Sequence, residues 1–510
     1  MPEVTAGTID ELVRWHAAHN GDKPMVIDPD SRVSYRELDE STADLAARFV
    51  EAGVGKGSRV GLIMPNSTRW VQVAVALTRI GAVLVPLSTL LKAGELATQL
   101  RVAAVQFLVS VEEFRGHRYL DDLRSVARTE LPALQRIWSS EQLDGAAASD
   151  PARRVVDAMT HTVTAADPLV IMFTSGSSGT PKGVIHSHGN ALGAVRSGLA
   201  ARCIGADTRL YLPMPFFWVG GFGSGILSAL LAGATLVTEE LPRPETTLRL
   251  LEREGVTLFR GWPDQAETLA RHAQSAGIAL PTLRPGSLEA LLPPEQRARP
   301  GARASLFGMT EAFGPYCGYP ADTDMPESAW GSCGKPFAGI QVRIVDPESG
   351  EPVPTGTPGV IQIRGPNTLR GICGRSREEL FTPDGYYPTG DLGYLDGDGF
   401  LFYRGRSDDM FKVSGATVYP SEVERALRSI DGVDAAFVTN VPGQAGDRVG
   451  AAVVCRALDA EQLRGHAREL LSAFKVPAVW LLFDSDDDVP RGGTGKVDIR
   501  RLRELLSDRP

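Results

Sequence analysis

The sequence is poor in cysteine and has no long apolar run, and each shortage excludes a class of protein. Its 510 residues contain five cysteines, widely spaced and without a CxxC pair, so neither a disulfide framework nor a zinc site is expected. No run approaches the ~18 apolar residues of a membrane span. Residues 1–21 carry acidic groups and no continuous apolar core, so we expect no signal peptide and a cytoplasmic protein.

The sequence also lacks an excess of positive charge. The formal net charge is −9 and the isoelectric point is near 5.5, which argues against nucleic acid or an anionic membrane as partner. A local nest of backbone N–H groups can still bind an anionic small molecule. With 43% hydrophobic and 23% charged residues, the composition is that of a globular protein, and the length predicts at least two domains.

What the sequence does contain is a turn rich in glycine and hydroxyl groups. Residues 174–183 read TSGSSGTPKG and follow the apolar segment 169–173. Such a turn after a buried strand can present N–H groups to phosphate oxygens, and Lys182 adds a cation. The segment does not satisfy the Walker A pattern, and the alternative interpretation is a flexible solvent-exposed turn.

Four further segments occur in a fixed order after this turn: Phe307–Glu311 (FGMTE), Tyr387–Asp391 (YPTGD), Gly405–Asp409 (GRSDD) and Pro490–Lys496 (PRGGTGK). Together the five segments resemble the motifs of the adenylate-forming superfamily, which contains acyl- and aryl-CoA ligases, luciferases and peptide-synthetase adenylation domains. The resemblance spans residues 174–496 and is strongest to the acyl-CoA ligases.

The pattern along the chain predicts an α/β fold. Apolar runs at 59–64 and 82–86 flank a segment, 67–80, with helical spacing, which indicates βαβ units and mostly parallel sheets. Ser34 and Glu37 form a capping-box pattern at the start of another helix.

Towards the C-terminus the pattern changes. Residues 360–364 and 399–403 read as strands of a small antiparallel region. Beyond residue 408, a helix opening at 421–424, strands at 435–440 and 451–455 and a helix at 461–474 read as a small α+β unit. We therefore expect a large N-terminal domain, residues 1–405, of mixed and parallel sheets flanked by helices. A hinge at 406–409 and a small mobile C-terminal domain, 410–510, would follow.

The resemblance implies a first reaction that joins a carboxylate to the α-phosphate of ATP, with Mg²⁺ bound. It assigns Lys182 to the phosphates, Thr310 to the α-phosphate, Glu311 to Mg²⁺, and Lys496 to both the carboxylate and the α-phosphate. Further nucleotide contacts are expected from Thr174, Ser175, Gly176, Ser177, Ser178, Gly179, Thr180, Phe307, Gly308, Met309, Asp391 and Arg406. Asp391 would accept the ribose hydroxyls.

The second implied reaction is attack of the coenzyme A thiol on the acyl-adenylate. Rotation of the small domain about Asp408 would exchange the Lys496 loop for the segment 412–416, where Gly415 would line a narrow pantetheine channel. No nucleophilic side chain is needed, so Cys317 and Cys333 are interpreted as packing residues.

The expected acid pocket is aromatic. Its candidates are Phe217, Trp218, Gly220, Gly221 and Phe313, and Phe216 and Phe222 also lie in this region. Their abundance favours a hydrophobic, bulky or cyclic carboxylic acid. Trp218 stands where the family often has histidine, which predicts a changed pocket shape or gate, although simple apolar packing is equally consistent.

A second departure lies at residues 284–292, where the family carries a small Gly-Gly-Ala-like turn and this chain has RPGSLEALL. Leu288 or Glu289 in that turn predicts altered adenine binding, so one alternative function is thioesterification of a supplied acyl-adenylate without adenylation. Three further functions stay open at this point: stand-alone amino-acid adenylation, luciferase-like oxidation and ligand binding without catalysis. A homodimer is also left open.

Overall fold

The computed structural model describes residues 6–124, 126–144, 148–174, 181–407, 411–413, 416–443, 447–471, 473–492 and 496–509. The chain packs as two compact units. The first comprises Met1–Gln341 with Ile363–Tyr386, and the second comprises Val342–Gln362 with Tyr387–Pro510.

The α-helices are labelled in chain order: α1 (Ile9–Asn20), α2 (Tyr35–Glu51), α3 (Thr68–Arg79), α4 (Ala93–Val102), α5 (Tyr119–Arg124), α6 (Asp150–Thr160), α7 (His188–Ser197), α8 (Ser228–Ala232), α9 (Pro244–Arg253), α10 (Pro263–Ala276), α11 (Arg377–Leu380), α12 (Pro420–Arg428), α13 (Ala460–Leu470) and α14 (Ile499–Ser507). Within the described ranges, none of these helices has the length and apolar character that crossing a bilayer requires.

The described residues of the first unit form three sheets. One has the order β11-β9-β10-β1-β2, with β1 (Pro24–Ile27), β2 (Arg32–Ser34), β9 (Arg209–Tyr211), β10 (Thr235–Val237) and β11 (Leu258–Phe259). A second has the order β17-β8-β7-β4-β3-β5-β6, with β3 (Arg59–Ile63), β4 (Val83–Pro86), β5 (Phe107–Ser110), β6 (Arg136–Ser139), β7 (Pro168–Thr174), β8 (Lys182–Ser187) and β17 (Gly371–Ile372). The third has the order β12-β13-β14, with β12 (Phe307–Met309), β13 (Gly314–Gly318) and β14 (Lys335–Pro336).

Both large sheets are mostly parallel. Strands β1, β9, β10 and β11 pair in parallel, and β2 alone runs antiparallel. In the seven-stranded sheet β6, β5, β3, β4 and β7 pair in parallel, while β8 and β17 are antiparallel additions at one edge. The predicted mixed and parallel α/β architecture is therefore confirmed.

The second unit holds a four-stranded sheet of order β15-β16-β18-β19, with β15 (Gln341–Val345), β16 (Gly359–Arg364), β18 (Tyr387–Leu395) and β19 (Leu401–Arg406). A two-stranded ribbon pairs β20 (Phe411–Val413) with β21 (Ala416–Val418). A three-stranded sheet has the order β22-β23-β24, with β22 (Val433–Val441), β23 (Arg448–Cys455) and β24 (Val479–Phe483).

The first predicted βαβ unit forms as expected. Strands β3 and β4 pair in parallel on either side of α3 in the sequence, and Ser67 caps α3 by accepting a hydrogen bond from the N–H of Trp70. The capping box of Ser34 and Glu37 at the start of α2 is also present. Trp70 is fully buried, so the apolar face that the spacing predicted does enter the core.

The C-terminal elements match the predicted ones with shifted ends. The helix expected over 461–474 was predicted too long, because α13 ends at Leu470 and Leu471 takes an extended conformation. The strand expected at 399–403 begins at Leu401, because Gly399 has a φ of +81°. The division by packing does not test a hinge at 406–409, and Asp408 lies outside the described residues, so that boundary stays a prediction.

Candidate active site

Lys182 is placed by the antiparallel pairing of strands β7 and β8. Strand β7 ends at Thr174 and β8 begins at Lys182, and these two residues face each other in the antiparallel register. Residues 175–180, which contain the predicted phosphate contacts Ser175, Gly176, Ser177, Ser178, Gly179 and Thr180, lie outside the described residues. The sheet therefore fixes the residues on either side of this segment, Thr174 and Lys182, and the phosphate contacts stay a prediction.

Thr310 and Glu311 lie on a short 3₁₀ turn between β12 and β13. Gly308 is required here, because a Cβ at that position would overlap the backbone of Gly314 on the paired strand. The turn closes at Phe313, which takes a left-handed φ of +54° although it is not glycine. Such a conformation is unfavourable for a bulky residue and persists only where the surroundings enforce it.

His186 connects this turn to the strand that carries Lys182. Its Nε2 lies 2.8 Å from the carbonyl oxygen of Thr310, and its Nδ1 lies 2.8 Å from Nδ2 of Asn190. The Asn190 amide can only donate through Nδ2, so Nδ1 of His186 accepts and Nε2 carries the proton that it donates to Thr310. Burial lowers the pKa of His186 to about 3, so the ring is neutral at pH 7.

A second connection reaches the same turn from the segment around β17. The N–H of Leu369 donates to the carbonyl oxygen of Glu311 at 2.8 Å, and the N–H of Arg370 donates to Ile185 at 2.9 Å. Strand β17 itself pairs with β8. The Thr310–Glu311 turn is therefore tied to β8 twice, once through a side chain and once through the backbone. Because Glu311 is itself buried, its carboxylate is held where movement is restricted.

Trp218 lies in the turn that follows β9. Asn66 fixes this turn, since its Nδ2 donates to Met214 at 2.9 Å and its Oδ1 accepts from the N–H of Phe216 at 2.8 Å. The Trp218 ring is partly exposed and packs edge-on against Trp262, with 6.0 Å between ring centroids.

The other predicted pocket residues differ in exposure. Phe217 and Phe313 are buried and Gly221 is buried with them, whereas Gly220 is partly exposed. The Phe313 ring packs edge-on against two other rings. Its centroid lies 4.9 Å from that of His186 and 6.2 Å from that of Phe222. The exposed aromatic surface of this region therefore belongs to Trp218 and not to the phenylalanines.

The stretch 284–292 packs against neighbouring segments of the first unit. The N–H of Leu288 donates to Phe259 at 3.1 Å, and the Leu288 side chain packs in the apolar cluster around Phe259. The Glu289 carboxylate accepts from the N–H of Ala298 at 2.9 Å. Leu288 and Glu289, which were expected to alter adenine binding, therefore both have protein partners in neighbouring segments.

In the second unit, Asp391 and Arg406 face each other across β18 and β19. Nη1 of Arg406 donates to Oδ1 of Asp391 at 3.3 Å and to the carbonyl oxygen of Thr389 at 2.9 Å. Asp391 is only 6% exposed, so its carboxylate is buried beside the Arg406 guanidinium.

Lys496 is exposed, on a short hairpin of the second unit. The N–H of Gly492 donates to the carbonyl oxygen of Lys496 at 2.8 Å. The backbones of Arg491 and Val497 form an isolated antiparallel β-bridge. The hairpin is held by its backbone, and the exposed position leaves the lysine stem accessible. Gly415 and Asp408, which were predicted for the thiol channel and the hinge, lie outside the described residues.

Two residues of this arrangement were missed in the sequence, His186 and Asn66. The available signal for His186 was a histidine inside an apolar strand, VIHS, which is unusual for a fully buried position unless it is hydrogen-bonded. Asn66 lies three residues beyond the end of β3, and polar residues after parallel strands collect at the carboxyl edge of a sheet.

The chain is similar to known proteins over nearly its whole length. The model of the AMP-binding enzyme family matches residues 13–373. The chain is 32% identical over 520 residues to a 3-[(3aS,4S,7aS)-7a-methyl-1,5-dioxo-octahydro-1H-inden-4-yl]propanoyl:CoA ligase of Mycobacterium tuberculosis, covering 98% of each chain. It is 32% identical over 483 residues to a feruloyl-CoA synthase of an Amycolatopsis species, covering 92% of this chain and 94% of that one.

Among solved structures, the O-succinylbenzoate coenzyme A synthetase of Bacillus subtilis in complex with AMP has the same fold. The TM-score is 0.80 and the identity is 24%, with 98% of each chain covered. The chain belongs to the AMP-binding enzyme family, and its curated relatives named here are CoA ligases and synthetases.

Proposed function

We propose that this AMP-binding enzyme is an acid–CoA ligase that forms an acyl-adenylate from ATP and a hydrophobic, bulky or cyclic carboxylic acid and then transfers the acyl group to coenzyme A. The observation that carries the proposal is the doubly tied turn of Thr310 and Glu311 beside the strand of Lys182. Two anions must be brought together in the first step, so catalysis depends on fixed groups that neutralise charge.

In the first step the acid oxygen attacks the α-phosphorus of ATP, and pyrophosphate leaves. Lys182 and Thr174, at the two ends of the glycine-rich loop, bind the departing phosphates, and the Thr310 hydroxyl orients the α-phosphate. Lys496 provides a cation for the carboxylate and the α-phosphate. Glu311 offers a carboxylate ligand of the kind that Mg²⁺ prefers, and the ion would supply further neutralisation of phosphate charge.

Asp391 and Arg406 form the ribose contact. The guanidinium of Arg406 holds Oδ1 of Asp391, and the Asp391 carboxylate accepts hydrogen bonds from the ribose hydroxyls. The pairing across β18 and β19 makes this contact rigid. Since the ribose does not react, this part of the site contributes binding and orientation.

In the second step the coenzyme A thiolate attacks the acyl carbon and AMP leaves with the bonding electrons. No enzyme nucleophile takes part. Burial raises the pKa of Cys317 well above its usual value, so this thiol stays protonated, in keeping with a packing role. Rotation about residues 406–409 and a channel lined by Gly415 belong to the same proposal.

The acid class rests on Trp218 and Trp262. These two rings meet beyond the carboxyl ends of β9 and β11, where open parallel sheets bind ligands. Large flat side chains at that edge favour a ring system over a short or charged chain. The bicyclic acid in the name of the Mycobacterium tuberculosis relative and the feruloyl group of the Amycolatopsis enzyme are both ring-bearing.

The test is acid-dependent exchange between ATP and pyrophosphate over a panel of cyclic and linear acids, beside thioester formation with coenzyme A. We expect ring-bearing acids to support both pyrophosphate exchange and thioester formation. Thioester from a synthetic acyl-adenylate without exchange would replace the proposal by a thioesterification enzyme. Exchange with amino acids alone, or saturable binding without turnover, would overturn it.

A further inference from the structure

The two residues of the Thr310–Glu311 turn are held by donors of different kinds. The carbonyl oxygen of Thr310 accepts from a buried side chain, that of His186. The carbonyl oxygen of Glu311 accepts from a backbone N–H, that of Leu369, at 2.8 Å. A backbone donor is only as well placed as the segment that carries it, so the position of Glu311 depends on what fixes residues 365–373.

Strand β8 fixes the C-terminal part of the 365–373 segment. The N–H of Arg370 donates to the carbonyl oxygen of Ile185 at 2.9 Å, and β17 pairs with β8 in antiparallel register. The N–H of Cys373 donates to the carbonyl oxygen of Gly183 at 2.8 Å. This pairing begins just after Leu369, so the residues before Leu369 need a separate attachment.

Asn367 provides that attachment. The residue is buried, with 6% exposed, and its Nδ2 donates to the carbonyl oxygen of Ala338, 29 residues away in the chain, at 3.1 Å. The turn around it also closes locally, because the Thr368 hydroxyl donates to the carbonyl oxygen of Gly365 at 2.8 Å. The Asn367 side chain therefore joins the turn before Leu369 to a different part of the first unit.

Two glycines leave the space that the Asn367 amide occupies. A Cβ at Gly193, inside α7, would lie 2.5 Å from Oδ1 of Asn367, and a Cβ at Gly339 would lie 2.5 Å from its Nδ2. Gly339 also has a φ of +85°, which favours glycine. Glycine in a helix interior is unfavourable relative to alanine, so the space that Asn367 needs gives a reason for glycine in α7.

We propose that Asn367 is a positioning residue for adenylation: held between Gly193 and Gly339, it fixes the segment whose Leu369 N–H holds Glu311, and so keeps the Glu311 carboxylate in place for Mg²⁺. The inference rests on the proposed function and deepens it. A carboxylate is a ligand that Mg²⁺ prefers, and hydrogen bonds that orient a metal ligand strengthen metal binding. Support of the turn is thereby divided, with His186 acting on Thr310 and Asn367 on Glu311.

The first test is the Mg²⁺ dependence of acid-dependent pyrophosphate exchange in N367A. The half-saturating Mg²⁺ concentration should rise about tenfold, as for loss of a group that orients a metal ligand. KM for the acid and the rate of transfer from a synthetic acyl-adenylate to coenzyme A should stay within about twofold of the wild type, because neither depends on Glu311 in the proposed mechanism. The unfolding temperature is measured on the same preparations.

A binding measurement makes the same comparison without turnover. The Kd of α,β-methylene-ATP is determined by calorimetry with saturating Mg²⁺ and with EDTA. Mg²⁺ should tighten binding to the wild type, and N367A should lose about tenfold of that gain while its Kd in EDTA stays unchanged.

G193A displaces the Asn367 amide by another route, since the new methyl group would overlap Oδ1. It should reproduce the N367A effects although alanine favours the helix. G94A is the matched control, because Gly94 lies in α4 and a Cβ there would meet nothing within 4 Å. It should leave the Mg²⁺ dependence and the binding of α,β-methylene-ATP unchanged.

E311Q decides whether Asn367 acts through Glu311. E311Q alone should raise the Mg²⁺ requirement, and adding N367A should change it little further; fully additive effects would place the action of Asn367 elsewhere and overturn the inference. An unchanged Mg²⁺ requirement in N367A and G193A also overturns it, as does an equal loss of exchange and transfer. If the wild-type enzyme shows no exchange with any acid, the proposed function fails, and the calorimetric comparison still decides the role of Asn367.

Discussion

The Thr310–Glu311 turn and the Lys496 hairpin differ in how firmly the chain holds them. The first is buried, closed by a left-handed phenylalanine and tied to β8 through His186 and Leu369. The second carries an exposed lysine on backbone contacts of its own hairpin. The difference suggests a division of labour: groups needed throughout the reaction are fixed, and a group needed in one step sits where it can be withdrawn.

The largest expected effect comes from Lys496. K496A should lower acid-dependent pyrophosphate exchange by about two to three orders of magnitude, as expected for removal of a transition-state cation. Thioester formation from a synthetic acyl-adenylate should change no more than a few-fold, and the unfolding temperature should not change, because the side chain is exposed. Exchange and transfer rates are measured separately on the same preparation.

R491A serves as the control for this prediction, since Arg491 lies on the same hairpin and pairs with Asp486. It should leave both rates within a few-fold of the wild type. If K496A reduced both half-reactions equally, Lys496 would act throughout, and the contrast with the fixed turn would be lost.

His186 gives the next largest effect and tests the fixed side of the comparison. H186L removes the donor to Thr310, and we expect kcat for adenylation to fall about ten- to a hundredfold because the turn is displaced. H186Q can place an amide nitrogen near the position of Nε2 and should recover most of the loss. Exchange kinetics and KM for ATP are the measurements, with kcat expected to change more than KM.

A purely structural role for His186 would make a different prediction. In that case the loss of kcat in each variant would be proportional to the fall in its unfolding temperature. H186Q and H186L would then show the same ratio of these two changes. Recovery of kcat by H186Q at an unfolding temperature similar to that of H186L would support positioning.

Local patterns predicted a large part of the molecule. The strands on either side of α3 and the capping box of α2 follow from apolar spacing and capping chemistry. These features depend on residues close together in the chain, so one sequence is enough to predict them. The motif positions of Thr310, Glu311, Asp391 and Lys496 came from the family resemblance.

Contacts between distant segments were not accessible in the same way. His186 and Thr310 are 124 residues apart and Asn66 and Phe216 are 150 apart, and no local pattern states which carbonyl a buried side chain will reach.

The smallest expected effect is on stability, and it again separates the two regions. The pKa of His186 is lowered from its ordinary 6.5 to about 3 by burial, so between these values the unfolded chain binds a proton that the folded chain does not. This group therefore adds stability that is fully present above pH 6.5 and is lost as the pH falls towards 3. The slope is at most about 1.4 kcal/mol per pH unit for one group.

H186Q should flatten the pH dependence of unfolding in that window, and H466Q, which changes an exposed histidine of the second unit, should not. The first unit can be followed selectively in a W480F background, because Trp480 is the one tryptophan of the second unit's sequence. Urea unfolding monitored by fluorescence at pH 7, 6 and 5 gives the slopes. An unchanged slope in H186Q would mean that the ring is hydrated in the folded protein, and the rigid attachment of the Thr310 turn would then need another origin.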